Sequence, residues 1–285
     1  MTLGAVVMLW QTFGFAGLGR PTVLPGTPPS VGYGICRPVP MTVDKSASRI
    51  RRMFGEIAPR YDFLNHFLSF GIDKYWRWRT VRRVPPTADA SILDLCCGTG
   101  DLALAYAKKL TPGGRISGAD FCHEMLVLGR RKAARSGEEE RLTFVEADAQ
   151  RLPFPDNSFE IVCNAFGLRN VTDTDRGLRE MTRVCQTGGR VAVLEFSTPR
   201  RQPMRGIYLW FFRHVLPRVG QAVSRSRLHA YNYLPQSVGE FDDGEALCRR
   251  MRDAGLADVR FWPMTFGVAT LYVGLKSEGG KSRLK

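Results

Sequence analysis

Hydrophobic and polar positions follow two rhythms between residues 91 and 196. Short apolar runs at 91–95, 116–119, 142–146, 160–166 and 190–196 read as buried strands. Residues 102–110, 124–134 and 174–184 have the mixed composition of helices, and turns fall at 111–114 and at Gly188-Gly189. Five strands alternating with helices predict a parallel sheet covered on both faces. Beyond it, a helix over 244–254 ends at Gly255, which suits a left-handed cap. Two more strands are expected near 259–264 and 268–275, and the short link between them requires an antiparallel pair. The expected architecture is α/β: a doubly wound, seven-stranded, mostly parallel sheet with an antiparallel last strand.

Three segments stand outside this rhythm. Asp44 or Ser46 caps a helix predicted to reach about residue 58, where Pro59 stops it. The aromatic stretch YDFLNHFLSFGIDKYWRWR (61–79) is read as helical on both sides of Gly71, and Pro85-Pro86 closes it. Residues 44–84 thus form a helical cover, and 199–235 a bulky insert rich in Arg, Trp, Phe and Tyr on the substrate side. Residues 1–40 hold no acid and only Arg20 and Arg37 as basic residues. They are expected to be disordered, or translated from a start upstream of Met41; a targeting leader is the alternative. Their apolar stretch, 3–18, is too interrupted for a spanning helix and lacks the preceding charge of a signal peptide. The expected division is an extension (1–40) and one domain (41–285).

Composition narrows the classes. A length of 285 residues with 44% hydrophobic and 24% charged residues allows a core without staples. Seven cysteines with no CxxC pair argue against a disulfide framework and a zinc knuckle, and for a reducing compartment. The histidines (66, 123, 214 and 229) show no paired spacing, so no metal is expected. A net charge of +14, carried by arginine clusters, fits nucleic acid, an anionic membrane surface or an acidic substrate. No run is long enough to be a basic tail.

The chemistry concentrates at SILDLCCGTGDLA (91–103). Gly98 and Gly100 let the backbone approach a ligand, and GTGDLA fits a loose dinucleotide pattern. Acids flank the turn, Asp94 before it and Asp101 after it. A pyrophosphate would lie where Asp101 stands, whereas S-adenosyl-L-methionine has no phosphate and carries cationic groups that carboxylates favour. Asp101 also suits a helix N-cap. Asp120, at the next strand end, is placed to grip ribose hydroxyls. Asp148-Ala149, after the third strand, offers a carboxylate to an adenine amino group and an N–H to the ring. Phe121 and Met125 are placed to flank the base or to pack the core.

With these residues in view, the sequence resembles the class I S-adenosylmethionine-dependent methyltransferases, and within them the ubiquinone and menaquinone C-methyltransferases. The resemblance spans roughly 44–276 and rests on YDFLNHFLSFGIDKYW, LDLCCGTGD, LPFPDNSFE, AFGLRNVTD, GGRVAVLEFS and AYNYLPQSV. It implies a Rossmann-like methyltransferase sheet and cofactor contacts at Thr99, Asp120, Asp148, Ala149 and Ala165. Cys96 replaces the first glycine of the wider class's turn, which is tolerable if the backbone there avoids positive φ. Asp73 and Gln186-Thr187 also depart from the family pattern.

The resemblance further implies a polyprenylated quinol as methyl acceptor, demethylmenaquinol ahead of a ubiquinone-pathway benzoquinol. Arg169 is the expected stabiliser of a phenolate or holder of a water; a structural salt bridge is its plainer role. Asn170, Tyr61 and His66 are the other candidate catalytic residues, with Tyr231 and Tyr233 in covering segments. The insert at 205–220 is read either as core or as a greasy channel and membrane contact. The expected location is cytoplasmic, peripheral to the inner face of an anionic membrane, without nucleic acid; oligomeric state is left open, a homodimer included. The rival readings are an RNA or DNA methyltransferase, a non-catalytic cofactor-binding subunit and a nicotinamide oxidoreductase.

Overall fold

The computed structural model describes residues 44–216, 218–219 and 230–277. The expectations for residues 1–40 and for the side chain of Tyr231 lie outside these residues.

The sheet is built around β1 (Ser91–Leu95), whose side chains are buried on both faces. Ile92 packs with Trp76, Leu102 and Tyr106 on one side; Leu93 and Leu95 pack with Leu168, Leu178 and Met181 on the other. Such two-sided burial is what a run of consecutive apolar residues produces in a parallel sheet. On one flank of β1 lies β2 (Arg115–Asp120), then β3 (Leu142–Glu146). On the other lie β4 (Phe159–Ala165) and β5 (Cys185–Phe196). The last strands, β6 (Leu256–Met264) and β7 (Ala269–Lys276), complete a seven-stranded sheet of order β3-β2-β1-β4-β5-β7-β6. β7 is antiparallel to both neighbours; toward β6 this follows from the short turn that joins them. Strand order reverses between β1 and β4, which opens a crevice at their carboxyl ends.

The helices follow the sequence pattern with two corrections, the first being that Ser46 precedes the first helix without a side-chain cap bond and Asp44 accepts only from the Ser46 N–H. α1 (Ala47–Leu68) runs straight through Pro59, where a stop was expected. A mid-helix proline costs about 3 kcal/mol. Ile50, Met53, Ile57, Ala58 and Leu64 bury one face of the helix and outweigh that penalty. Gly55, the residue four before Pro59, also presents no Cβ there. The helix ends before Gly71, whose φ of 74° starts α2 (Ile72–Arg83). Three helices pack on the sheet: α3 (Asp101–Ala107), α4 (His123–Arg135) and α5 (Thr174–Val184), the last capped by Asp173, which accepts from the Arg176 N–H at 2.9 Å. The insert contributes α6 (Met204–Trp210), a π turn at Phe211–Val215 and α7 (Ala230–Glu240). Tyr208, Phe212 and Leu216 of the insert join one buried cluster with Ile50, Met53 and Ile57 of α1, so the buried side of its described residues is core, while Trp210 is exposed. α8 (Glu245–Asp253) closes on Gly255 with φ 96°, the cap expected.

Trp76 locks α2 to the sheet. Its ring touches Phe166 and Phe196, and its Nε1–H donates to Thr265 Oγ1 at 2.8 Å. Trp76→Ala is therefore expected to lower unfolding free energy by about 3–5 kcal/mol. Trp210→Ala is expected to change it by less than about 0.5 kcal/mol. Urea unfolding monitored by circular dichroism checks the contrast.

Candidate active site

The turn after β1 bends through three left-handed residues: Cys96 (φ 51°), Gly98 (φ 55°) and Gly100 (φ 82°). Cys96 thus occupies the region that the sequence reading required it to avoid. A non-glycine residue there costs about 1–2 kcal/mol, and hydrogen bonds around the turn hold it. The Cys97 N–H donates to Ala119 O at 3.1 Å and the Gly98 N–H to Asp120 Oδ2 at 2.8 Å. Gly100 has a second reason to be glycine: a Cβ would stand 3.0 Å from the Phe144 ring. On the β4 side, a Cβ on Gly167 would lie 2.4 Å from the Cys96 Cβ, so the two turns pack directly together at the strand-order reversal.

A cleft opens beside these turns. It is lined by Gly98, Phe121, Met125, Asp148, Ala149, Ala165 and Asn170, with Tyr61 descending from α1. These residues are close in space as the sequence reading required. Asp148 shapes its own loop, its Oδ1 accepting from the Gln150 N–H at 2.9 Å. Asn170 sits in a 3₁₀ turn after β4, and its Oδ1 accepts from the Tyr233 hydroxyl at 3.1 Å.

Other expected site residues stand behind the wall. Asp94 is buried one residue before the end of β1 and accepts from the Ala103 N–H at 2.9 Å, docking α3 rather than facing the cleft. Asp120 is buried beneath the turn, accepting from Gly98 and from the Cys122 N–H at 2.9 Å. Burial pushes its carboxyl up, and those N–H bonds partly offset this. Thr99 donates its hydroxyl to Asp62 Oδ1 at 2.5 Å, and Gly100 packs on Phe144.

Arg169 is the main departure. Its guanidinium is buried, 3.0 Å from Glu195 Oε2, bonded also to Phe166 O, and 5.4 Å over the Phe196 ring. The plainer role, a structural salt bridge, is the one its geometry supports; it fixes the turn that carries Asn170. His66 also points elsewhere, with Nδ1 2.8 Å from Asp73 Oδ2. With Asp101 it forms a group whose ligand atoms lie within 4.8 Å of one another, a geometry open to a metal. Two cations already serve these acids: Arg77 lies 2.5 Å from Asp73 and 3.7 Å from Asp101, and Lys132 is bonded to Asp101. Burial works to raise the Asp101 carboxyl, but Arg77 and Lys132 hold it below its ordinary value. Asp101 is not a side-chain N-cap, that position being Gly100, and its carboxylate is turned onto Arg77 and Lys132.

Lys132 reaches further, donating to Asp62 Oδ2 at 2.8 Å and to Thr99 Oγ1 at 3.0 Å. One ammonium thus ties the cover helix α1 to the glycine turn. Sequence reading also missed Ala47, Arg51 and Phe54 of α1, which line the cleft. Their helical spacing, continued to Tyr61, carried the signal, but a stop at Pro59 hid it. Arg51 sits over Phe121 at 5.7 Å and pairs with Glu146 at 3.4 Å, so it adds no unbalanced charge.

The thiols of Cys96 and Cys97 are pushed far up, first by burial and then by Asp120 and Asp94, so neither is a ready nucleophile. The residues fit a nucleoside that carries positive charge: a turn close enough for backbone approach, a carboxylate at the rim in Asp148, another beneath in Asp120, and apolar walls.

Sheet order, the antiparallel β7 and this switch-point cleft define a class I S-adenosylmethionine-dependent methyltransferase. The chain belongs to the ubiE/COQ5 methyltransferase family, which matches residues 41–276. It is 45% identical over 232 residues to the ubiquinone/menaquinone biosynthesis C-methyltransferase UbiE of Geobacter sulfurreducens, covering 81% of this chain and 90% of the relative. It is 49% identical over 222 residues to the demethylmenaquinone methyltransferase of Thermus thermophilus, covering 78% and 99%. A SAM-dependent methyltransferase structure from Aquifex aeolicus superimposes with a TM-score of 0.54 over 72% of this chain and 92% of its own, at 15% identity; that likeness shows the shared fold.

Two outcomes test the site's physics. Burial raises the Asp94 carboxyl from 3.8 to about 7, the Ala103 N–H opposing. The folded state therefore holds this proton more tightly than the unfolded chain. The stability it contributes is full below about pH 4 and is lost as pH rises toward 7, a change on the order of 4 kcal/mol. Asp94→Asn keeps the acceptor for Ala103 and removes the titration. Its stability relative to the parent is expected to increase from pH 4 to pH 7 in denaturant melts. At Cys96, a β-branched side chain in the left-handed region is expected to cost about 2 kcal/mol as Cys96→Val, whereas Cys96→Gly keeps stability within about 1 kcal/mol. Thermal unfolding measures both.

Proposed function

We propose that the protein transfers a methyl group to a ring carbon of a polyprenylated quinol, with demethylmenaquinol the favoured acceptor. The observation that carries the reading is the identity, 45% and 49%, to relatives named for quinone C-methylation, over 81% and 78% of the chain. The cleft is chemically suited to it: apolar walls from Phe54, Phe121 and Met125 meet a small polar end at Asn170 and Tyr61.

When bound, the cofactor supplies a methyl group on a sulfonium. Asp148 at the rim would hold the nucleoside, its carboxylate oxygens keeping acceptor capacity beyond their present bonds, while Asp120 fixes the turn from beneath. Ala149 and Gly98 keep the wall thin enough for close approach. Toward the acceptor, the chain orients the ring and stabilises negative charge on its phenol oxygen, which makes the adjacent carbon nucleophilic; the phenol proton leaves to solvent, and after transfer the ring proton of the methylated carbon is lost and the phenol is re-protonated, one proton being released overall. Tyr233 engages Asn170 Oδ1, leaving the amide N–H groups free to donate to that oxygen. The Tyr61 hydroxyl, pushed up by burial, stays protonated and acts as a donor rather than a base. Arg169 acts at one remove, by holding the turn through Glu195.

The acceptor's tail belongs in a bilayer. Among the described residues no helix is long and apolar enough to cross a membrane. We infer that the quinol is met at the surface of an anionic membrane, at the cytoplasmic face.

A transfer assay with labelled methyl donor tests the reading. Reduced demethylmenaquinone is expected to be labelled at least about tenfold faster than the demethylated ubiquinone precursor, a difference of one RT ln 10 in transition-state energy. No label in either quinol overturns it. Asn170→Ala is expected to lower kcat by about 100-fold with donor affinity unchanged.

A further inference from the structure

The elbow between α1 and α2 leaves Phe63 59%, Phe67 50% and Phe70 82% exposed. Phe63 and Phe67 stack on each other, with centroids 5.7 Å apart, on one face of the last turns of α1. Phe70 occupies the left-handed region with φ 52°, where asparagine or glycine is the ordinary choice. A second loop repeats the pattern. Phe266, between β6 and β7, has φ 58° and is 78% exposed. Both features cost stability in water, and both spend it on presenting an apolar ring to the outside.

The two tips lie on the same edge of the sheet. Ala269, at the start of β7, pairs with Phe196 at the end of β5, so the Phe266 turn lies at the carboxyl edge. The elbow is tied to that edge through His66, 2.8 Å from Asp73 and 3.9 Å from Asp101 at the start of α3. Trp76 of α2 also bonds Thr265 in the Phe266 turn. This is the edge into which the cleft opens.

Charge decides the partner. Between residues 60 and 84 the acids are Asp62 and Asp73, and both are turned into ion pairs with Lys132 and Arg77. Lys74, Arg79 and Arg82 of α2 remain exposed, with Arg82 4.8 Å over the exposed Trp78. Aromatic rings set among cations, with both local acids drawn into ion pairs, match the interface of an anionic bilayer: the rings enter the acyl boundary and the cations meet headgroups. A second copy of the chain would bring the same positive charge to this face and be repelled.

We propose that the α1–α2 elbow and the Phe266 turn form the docking surface for an anionic lipid bilayer, holding the mouth of the cleft against it. The proposal rests on the quinol reading for its purpose, but its test contains no quinol. Full-length protein is sedimented with vesicles of phosphatidylglycerol and phosphatidylcholine, and with phosphatidylcholine alone. Binding is expected to the anionic vesicles only, and to fall with salt. The triple variant Phe67→Ser, Phe70→Ser, Phe266→Ser, and separately Lys74→Glu with Arg79→Glu, are each expected to weaken partitioning by about tenfold or more. Both are expected to keep the parent's unfolding midpoint and its methyl transfer to a water-soluble short-chain acceptor. A parent that ignores anionic vesicles overturns the proposal, as do variants that bind them equally well. A parent dimer that the phenylalanine variant dissociates would assign the surface to self-association instead. Vesicle binding without quinol methylation would leave this surface standing while removing the substrate assignment.

Discussion

The carboxylate of Asp120 and the N–H groups of Gly98 and Cys122 form the bonds on which the site depends. They hold the turn after β1 against the end of β2, although Cys96 must sit in an unfavourable backbone region for the turn to close. That strain is sustained because the turn is fixed from several directions: Ala119 accepts one N–H, Asp120 another, and Gly167 packs against the Cys96 Cβ at a distance only glycine permits. The result is a rigid, thin wall at the strand-order reversal, where a ligand can meet backbone directly. A looser turn would still bind a nucleoside but would not fix the position of its reactive group, and methyl transfer depends on alignment more than on any covalent contribution from the protein.

Around that wall the protein organises charge by pairing it. Asp62, Asp73 and Asp101 are held by Lys132 and Arg77, and Glu195 by Arg169. The pairs do two jobs. They turn acids near the cleft onto cations, and they join separate elements. Lys132 alone bridges α1, the glycine turn and α3 from its seat on α4. The cover is therefore mechanically continuous with the wall it covers. Because partly buried pairs contribute modest net stability, their value lies in fixing relative position. Inward pairing has an outward effect too: it strips the elbow's surface of negative charge and leaves aromatic rings among cations beside the mouth.

Sequence pattern went far here because the sheet is parallel and buried on both faces, so each strand is a plain apolar run with a turn at its end. Residues 91–95, 142–146 and 174–184 emerge with the boundaries expected of them. The left-handed cap at Gly255 and the antiparallel final pair were equally legible, since each follows from local backbone constraints. At the site, Gly98, Phe121, Asp148, Ala149, Ala165 and Asn170 gather around one cleft, because strand ends and the loops after them fall on one edge by topology, and Tyr61 joins them from α1.

What the sequence by itself determined, then, is the succession of elements and the edge on which the chemistry collects; both depend on periodicities of a few residues. Tertiary structure decided where each charged side chain turns. Asp94 docks a helix, Asp101 joins an ion network, and Arg169 serves a glutamate 26 residues away. It also carried α1 through Pro59, because the face that the helix buries against the body outweighs one missing backbone bond. Charges pair with whatever folding brings near, and burial energy sums over a whole helix, so neither outcome is written in a local pattern.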